Sequence, residues 1–562
     1  MRSIAIFAAL LACGLPALSQ NISQSVQVTN EYETKFADFQ KLGVETHVPD
    51  SLYEFDYSFD YSVFDSPYRG SYEFTPYEIQ LTPDPMAYDG SRFLLRAGAG
   101  YSLRPVLDFY WTPVRQGNFT LGLSNVGRGY CGSYEARPAA ADGSSALAAF
   151  SGYDFSDSFS AGGRYVMKGA EISFGAGYDG IFTGEDIRSS AFSSAWIGAR
   201  ISSSDRTKAY FSYDLGVGYR FSSDLLSPRA PEYGTALLGT TENHLKVDGS
   251  LGPVFGNRYA FLLDFSFDLD AVGRPEGYSD LAANFATLTP HVVFSLGVFD
   301  LDAGVNLDYL DAATSGFTLA PVAEIGVSMF SGSTRAALGI SGGRRLMDVW
   351  SLKSFNHFHT SVSGTPAVMR ERFGAYAEFG GRIGSRFQYQ LRGGYSSLDD
   401  LPFEGLRRLD FGSAEFAYAG LDFEWISERL NVDGNVSWQH VLKHATDLDA
   451  FAPAELTADF RIEYNWMSRV YAGLSLNAAT ARSAWVPAVV PPEGQDAGQL
   501  QQPAAAPDVP GFADLGIFGE YRFSRRFGAW AELGNLLGMS IERHPGYSIA
   551  GPYFSLGLSL RL

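Results

Sequence analysis

Cysteine is almost missing: among 562 residues only Cys13 and Cys131 occur. Past an N-terminal leader one thiol would remain, so neither an internal disulfide nor a thiol metal site is expected, and stability must come from burial and backbone pairing. Long apolar runs are missing too. After the first twenty residues nothing approaches the 18 or more apolar residues of a membrane helix, although aromatics make up 15% of the chain and the mean hydropathy is only -0.06. If such a chain crosses lipid, only a closed barrel remains. Basic charge is scarce, with 42 Lys and Arg against 62 Asp and Glu for a net charge of -20; this argues against nucleic acid, which selects a basic patch, and agrees with solvated loops. Catalytic patterns are missing as well. The eight histidines are scattered, and His357-Phe358-His359 lies in a long connection without carboxylates at ligand spacing, which reads as loop surface rather than metal site. No Gly-flanked nucleophilic serine or phosphate loop stands out. No enzyme activity, cofactor or metal is expected.

What is present begins with a leader. Met1-Arg2, the apolar stretch from Ile4 to Ala12 and Ala17-Leu18-Ser19 form a secretory signal over residues 1–19, too short to span a bilayer. Leu10-Leu11-Ala12-Cys13 also resembles a lipoprotein cleavage box, which would lipidate Cys13 but leave a very short apolar region.

Over most of the remaining chain apolar and polar residues alternate with period two. Ala209, Phe211, Tyr213, Leu215, Val217, Tyr219 and Phe221 oppose Lys208, Tyr210, Ser212, Asp214 and Arg220. Further on, Phe261, Phe265 and Phe267 oppose Asp264 and Asp268; Phe299, Leu301 and Leu307 oppose Asp300, Asp302 and Asp308; Phe387, Tyr389 and Leu391 oppose Arg386, Gln388 and Arg392. One face suits hydrocarbon and the other water. A soluble sandwich also alternates, but these runs reach about 10 to 14 residues, as tilted spanning strands need, against about 5 to 6 in globular sheets. Trp111, Tyr219, Trp425 and Trp466 near strand ends fit aromatic girdles. The inward set Lys208, Asp214, Arg220, Asp264, Asp268, Asp300, Asp302, Asp308, Arg386 and Arg392 forms either a selectivity field or a hydrated interior with cross-strand ion pairs, and the second is the simpler reading.

The alternation yields about 22 strands, among them 117–124, 206–220 and 385–396. The count checks itself, since in a barrel entered from the periplasm every even-to-odd joint is a short turn and every odd-to-even joint is free to be long. Lys168-Gly169, Ser204-Asp205, Phe255-Gly256, Ser331-Gly332, Gly384, Ile426-Ser427, Met467-Ser468 and Ser524-Arg525 fall at even-to-odd joints. The connections 125–153, 221–240, 344–369, 397–412, 441–454 and 482–509 fall at the others. Only paired errors, giving 20 or 24 strands, preserve this parity. The expected fold is therefore all-β, a transmembrane antiparallel barrel over 91–562 preceded by a periplasmic or lumenal segment, 20–90. The low-complexity connection 486–510, rich in Pro, Ala and Gln, reads as a lid or exposed surface.

The last ribbon, Tyr553 to Leu562, carries Ser555, Gly557, Leu560 and Leu562 in a pattern similar to the C-terminal assembly signal of outer-membrane barrels, ending in Leu562 where an aromatic is usual. Residues 510–562 resemble the closing hairpin of TonB-dependent receptors, in Gly519-Glu520-Tyr521-Arg522-Phe523, Ala531-Glu532-Leu533-Gly534-Asn535-Leu536-Leu537, Gly546-Tyr547 and Gly551. Val26-Gln27-Val28-Thr29-Asn30-Glu31-Tyr32, with Arg92 to Trp111 after it, is similar to a plug-less, receptor-like group of such barrels from Bacteroidota. The resemblance implies a cell outer-membrane location in a Gram-negative bacterium and uptake of a bulky solute or metal complex with energy from a periplasmic partner. It also implies contact with outer-membrane lipid and lipopolysaccharide and with the barrel-assembly machinery. One departure stands out: only about 70 residues separate signal and barrel, too few for a complete plug domain. That acidic segment includes Tyr53-Glu54-Phe55-Asp56-Tyr57, and Val26 and Val28 would offer TonB a strand to pair with. The missing plug also motivates the alternative, a non-transporting barrel serving as scaffold for surface lipoproteins or outer-membrane assembly.

Overall fold

In a computed structural model the described residues are 92–136, 148–203, 210–229, 237–256, 258–312, 315–360, 367–405, 408–444, 453–483 and 508–562. The signal, Cys13, the segment 20–90 with Val26 and Val28, Lys208 and most of 486–510 lie outside them.

Twenty-two long strands follow one another as a meander: β1 Phe93–Tyr101, β2 Val106–Gln116, β3 Phe119–Ala136, β4 Ala148–Val166, β5 Ala170–Gly184, β6 Arg188–Ser203, β7 Phe211–Pro228, β8 Leu238–Phe255, β9 Tyr259–Gly273, β10 Leu281–Leu296, β11 Phe299–Asp311 and β12 Gly316–Met329. Then come β13 Thr334–Met347, a short helix α1 Val349–Phe355, β14 Ala367–Ile383, β15 Phe387–Gly405, β16 Arg408–Ile426, β17 Leu430–His444, β18 Leu456–Trp466, β19 Val470–Ala479, β20 Phe512–Arg522, β21 Phe527–Gly534 and β22 Tyr553–Arg561. Each pairs antiparallel with the next, and β22 returns to β1 with Leu94 opposite Arg561 and Tyr101 opposite Phe554. The sheet has no free edge, which lipid demands because an unpaired backbone group there costs several kcal/mol.

Alternation explains which side faces out. On β7 Phe211, Leu215, Val217, Tyr219 and Phe221 are exposed on the outer surface while Ser212 and Ser222 are buried inside. The short turns use left-handed backbone where the strand twist requires it: Gly256, Gly384, Met467 and Ser468 all have positive φ. At the seam Gly557 faces Trp530, and a Cβ there would lie 2.4 Å from the indole and 2.3 Å from the Ala97 carbonyl. The seam thus requires glycine. Around it Ser555 points inward, and Leu556, Leu558 and Leu562 lie exposed on the outer face with Leu560 partly covered.

Every expected strand has its counterpart, but several run further at the end bearing the long connections. The expected 117–124, 206–220 and 385–396 become β3, β7 and β15. Beyond the hydrocarbon the outer face no longer has to be apolar, so the pattern fades in stretches such as Ser396-Ser397-Leu398-Asp399 while backbone pairing continues.

Candidate functional site: a loop folded into the barrel mouth

The lumenal wall is a series of local ion pairs. Arg200 on β6 lies 2.5 Å from Asp214 on β7 and 3.1 Å from Asp248 on β8. Arg335 is held by Asp300 at 2.5 Å and Glu324 at 2.6 Å. His291 stands between Asp302 at 2.7 Å and Asp264 at 3.3 Å; His244 lies 3.0 Å from Asp268, and Arg220 3.0 Å from Asp179. Asp308 accepts the Arg344 backbone N–H at 2.7 Å. Arg392 lies over the Tyr376 ring, 5.0 Å from its centre. Arg386 is exposed at the end of the turn before β15, where its carbonyl still accepts the Ile426 N–H at 2.8 Å as the strand ladder closes. Sharing one cation between carboxylates of adjacent strands, as Arg200 and Arg335 do, offsets part of the negative charge and leaves each such cluster with one carboxylate in excess.

At the outer end the connection after β13 turns back into the barrel. Asp348 caps α1, its carboxylate accepting the Ser351 N–H at 3.0 Å, and the Val349 N–H donates to Glu242 on β8 at 2.6 Å. Arg220 lies over the Trp350 ring at 4.4 Å. Lys353 is wholly buried; its ammonium donates to Ser190 Oγ on β6 and to the His359 carbonyl, both at 2.7 Å, and lies 3.6 Å from Asp224 on β7. On the near side Leu352 packs with Leu409 of β16, together with Met347 and Phe411, and the Asn356 amide donates to Glu404 of β15 at 3.0 Å. The loop therefore bridges wall positions on β6–β8 and on β15–β16.

A second outer connection, between β21 and β22, meets it. Asn535 is buried at positive φ and organises this loop: its side chain bonds the Met539 N–H and carbonyl and the Gly551 carbonyl at 2.7 to 3.0 Å. Tyr547 stacks on Phe358 with ring centres 3.6 Å apart, Tyr134 packs edge-on to both, and the Tyr547 hydroxyl donates to Glu185 at 2.7 Å. His544 reaches Glu404 at 2.6 Å and His357 reaches Asp154 at 2.8 Å.

The His357-Phe358-His359 segment is therefore not loop surface. Phe358 and His359 are buried, drawn inward by the aromatic stack and the Lys353 anchor. Burial, then the nearby Lys353 ammonium, pushes the His359 imidazole down to about 3. Burial would raise Asp348, but the His244 imidazole 3.7 Å away and the hydrogen bond from Ser351 hold it at about 2. Burial outweighs the pull of Asp224 and lowers Lys353. Among the described residues no group of three or more His, Cys, Asp or Glu side chains is placed to hold a metal ion. Lys353, Asn356, Glu404 and Tyr547 were not singled out from the sequence as a constellation. The one local signal was Asp348 three residues before Ser351, which marks a helix start but not the direction in which the helix folds.

No protein-family model matches the chain, and no curated protein does. Solved structures do resemble it. The FrpB iron transporter from Neisseria meningitidis superposes with a TM-score of 0.61 at 10% identity, over 84% of this chain and 82% of that one. A mutant form of the ferric enterobactin receptor PfeA from Pseudomonas aeruginosa gives 0.58 at 10% identity, over 84% and 80%. The copper transporter OprC gives 0.56 at 12%, again over 84% and 80%. At such identities the likeness shows the fold alone, a closed antiparallel barrel, here of 22 strands.

Proposed function

We propose that the chain is an outer-membrane transporter that admits a bulky solute through its lumen, with energy supplied from the periplasm by TonB. The observation that carries the reading is a closed 22-strand barrel that superposes on proteins described as iron and copper transporters, with an ion-paired polar interior. A bulky solute suits a barrel this wide better than a small one, which narrower barrels pass. The scaffold alternative is motivated by the shortness of the segment 20–90, and a folded outer loop across part of the mouth weakens that motive.

The test is uptake by cells carrying or lacking the chain, supplied with trace-labelled iron and copper complexes and a labelled oligosaccharide. Accumulation of one probe that depends on the chain, and that stops when residues 22–35 are deleted or the proton-motive force is collapsed, supports the proposal. Equal accumulation with and without the chain for every probe overturns it, and uptake unchanged by the deletion removes the TonB coupling.

A further inference from the structure

Five arginines stand on the lumenal side of the rim that bears the short turns. Arg386, Arg429, Arg469 and Arg526 close the turns into β15, β17, β19 and β21, and Arg92 stands at the foot of β1. The ladder continues through the turn arginines: the carbonyls of Arg386, Arg429, Arg469 and Arg526 accept the N–H groups of Ile426, Asn465, Arg522 and Arg561, all at 2.7 to 2.8 Å. Alternation then puts the five on the face of Gln388, Asn431, Tyr471, Trp530 and Arg96. That face is the inner one, where Arg522 lies over the Tyr471 ring and Arg96 over Trp530. All five are exposed, and among the described residues none is ion-paired, whereas the neighbouring Arg561 lies 2.7 Å from Glu520. The only carboxylate in the four turns is Glu428. A chain with a net charge of -20 thus keeps a row of uncompensated cations at one end of its lumen.

Successive members of the row are two strands apart, which at the usual strand spacing and tilt is about 10 to 13 Å along the rim, so the arc from Arg92 to Arg386 is about 40 to 50 Å long. The cations are strung out instead of converging on one point, which suits an extended polyanion and not a compact ligand. The chain itself enters the barrel at one end of this arc. The stretch leading in carries Glu73, Glu78, Asp84 and Asp89, and no Lys or Arg lies among them. Pro76, Pro83 and Pro85 remove backbone donors and favour an extended course. At about 3.1 Å per residue the path from Glu73 to Arg92 covers about 60 Å, enough to follow the whole arc with slack. Its carboxylates recur every five or six residues, about 16 to 19 Å along such a path, so successive carboxylates reach successive arginines.

We propose that the acidic, proline-punctuated stretch 73–89 docks along the lumenal arginine arc from β1 to β15, its carboxylates on the guanidinium groups, so that the chain lines part of its own lumen at the end where it enters the barrel. Guanidinium presents a planar fork of donors that matches carboxylate oxygens two at a time. Asp89 is three residues from Arg92, and such a tether gives the stretch an effective concentration on the order of millimolar, against which an external anion has to compete. The inference is independent of what the barrel transports.

The test places the photo-cross-linking residue p-benzoylphenylalanine at Tyr77 of the full chain, irradiates isolated outer membranes and reads the joined peptides by mass spectrometry. The expected partners are the turns carrying Arg386 and Arg429. Their yield should fall at least about fivefold in about 1 M salt and in the variant R386Q/R429Q/R469Q/R526Q, the factor that one or two exposed ion pairs supply. The reversal R386E/R429E should abolish the cross-link, and E73K/E78K added to it should restore it, a rescue that a merely damaged barrel would not show. Each variant is checked for a folded barrel by heat-modifiable gel mobility. Cross-links only to other parts of the barrel, a yield unchanged by salt or by the folded quadruple variant, or no rescue in a folded barrel overturns the proposal. If a variant does not fold, the partners and salt dependence of the unaltered chain decide. Absence of the cross-link, together with binding of fluorescent dextran sulfate that depends on these arginines, would assign the arc to an external polyanion and overturn the assignment to 73–89.

Discussion

Replacing Lys353 by methionine removes the charge that fastens the inward loop to β6 and β7 while keeping most of the side chain's length. The ammonium makes two hydrogen bonds of 2.7 Å and lies 3.6 Å from Asp224. Removing one partner of a buried pair typically costs about 3 to 5 kcal/mol. Here the cost is smaller, because Asp224 keeps a 2.6 Å bond from Ser190 and methionine is buried without the penalty of dehydrating a charge. A loss of about 2 to 3 kcal/mol follows, which multiplies the open fraction of the loop by about 30 to 150. Amide hydrogen exchange reads this directly, since the N–H groups of Leu352, Asn356 and His359 are bonded within the loop to Asp348, Leu352 and Asn356 carbonyls and exchange through local opening. Peptides spanning 348–360 should lose protection by that factor in Lys353→Met while β11 peptides stay unchanged. Protection within about threefold of the unaltered protein would mean that the aromatic stack alone holds the loop, and the reasoning from Lys353 would fail.

Acid should loosen the same loop. His359 titrates near 3 when the loop is docked, against 6.5 when free, so its contribution to docking is complete above pH 6.5 and is lost as pH falls toward 3. At pH 5 the loss is about 2 kcal/mol. Exchange in 348–360, corrected for intrinsic rate, should accelerate accordingly between pH 7 and 5, and His359→Gln should abolish the difference; Asp348, held near 2, adds to the effect only at lower pH. Asn535→Ala loses the bonds to Met539 and Gly551 and puts at positive φ a residue that tolerates it less well than asparagine, a local cost of about 1 to 3 kcal/mol. Trypsin added to whole cells should then cleave at Arg543, and resistance equal to that of the unaltered protein would count against this role. On the wall, Arg335→Met leaves Asp300 and Glu324 to repel each other, and the urea midpoint of the detergent-refolded barrel should fall by the equivalent of about 1 to 3 kcal/mol; an unchanged midpoint would show that lumenal water screens the pair.

The strands were legible because each is a local response to two solvents. Phe261, Phe265 and Phe267 against Asp264 and Asp268 show which face meets lipid within a few residues, and a slip of one position would turn all of them over. Turn chemistry is equally local, as Gly256 and Gly384 show. The inward loop was not legible. Val349 and Glu242 are 107 residues apart, Lys353 and Ser190 163, and Tyr547 and Glu185 362, and nothing within either member of such a pair announces the other.

By itself the amino-acid order determined that this chain spans with long two-faced strands, how many there are, and which connections are short, since periodicity and turn propensity act between neighbours. Only the tertiary structure decided which lumenal charges pair with one another and that the connection after β13 folds inward. Those outcomes depend on which distant side chains curvature and closure bring within hydrogen-bonding reach, and a buried ammonium such as that of Lys353 is tolerable only where the rest of the fold has already placed its partners.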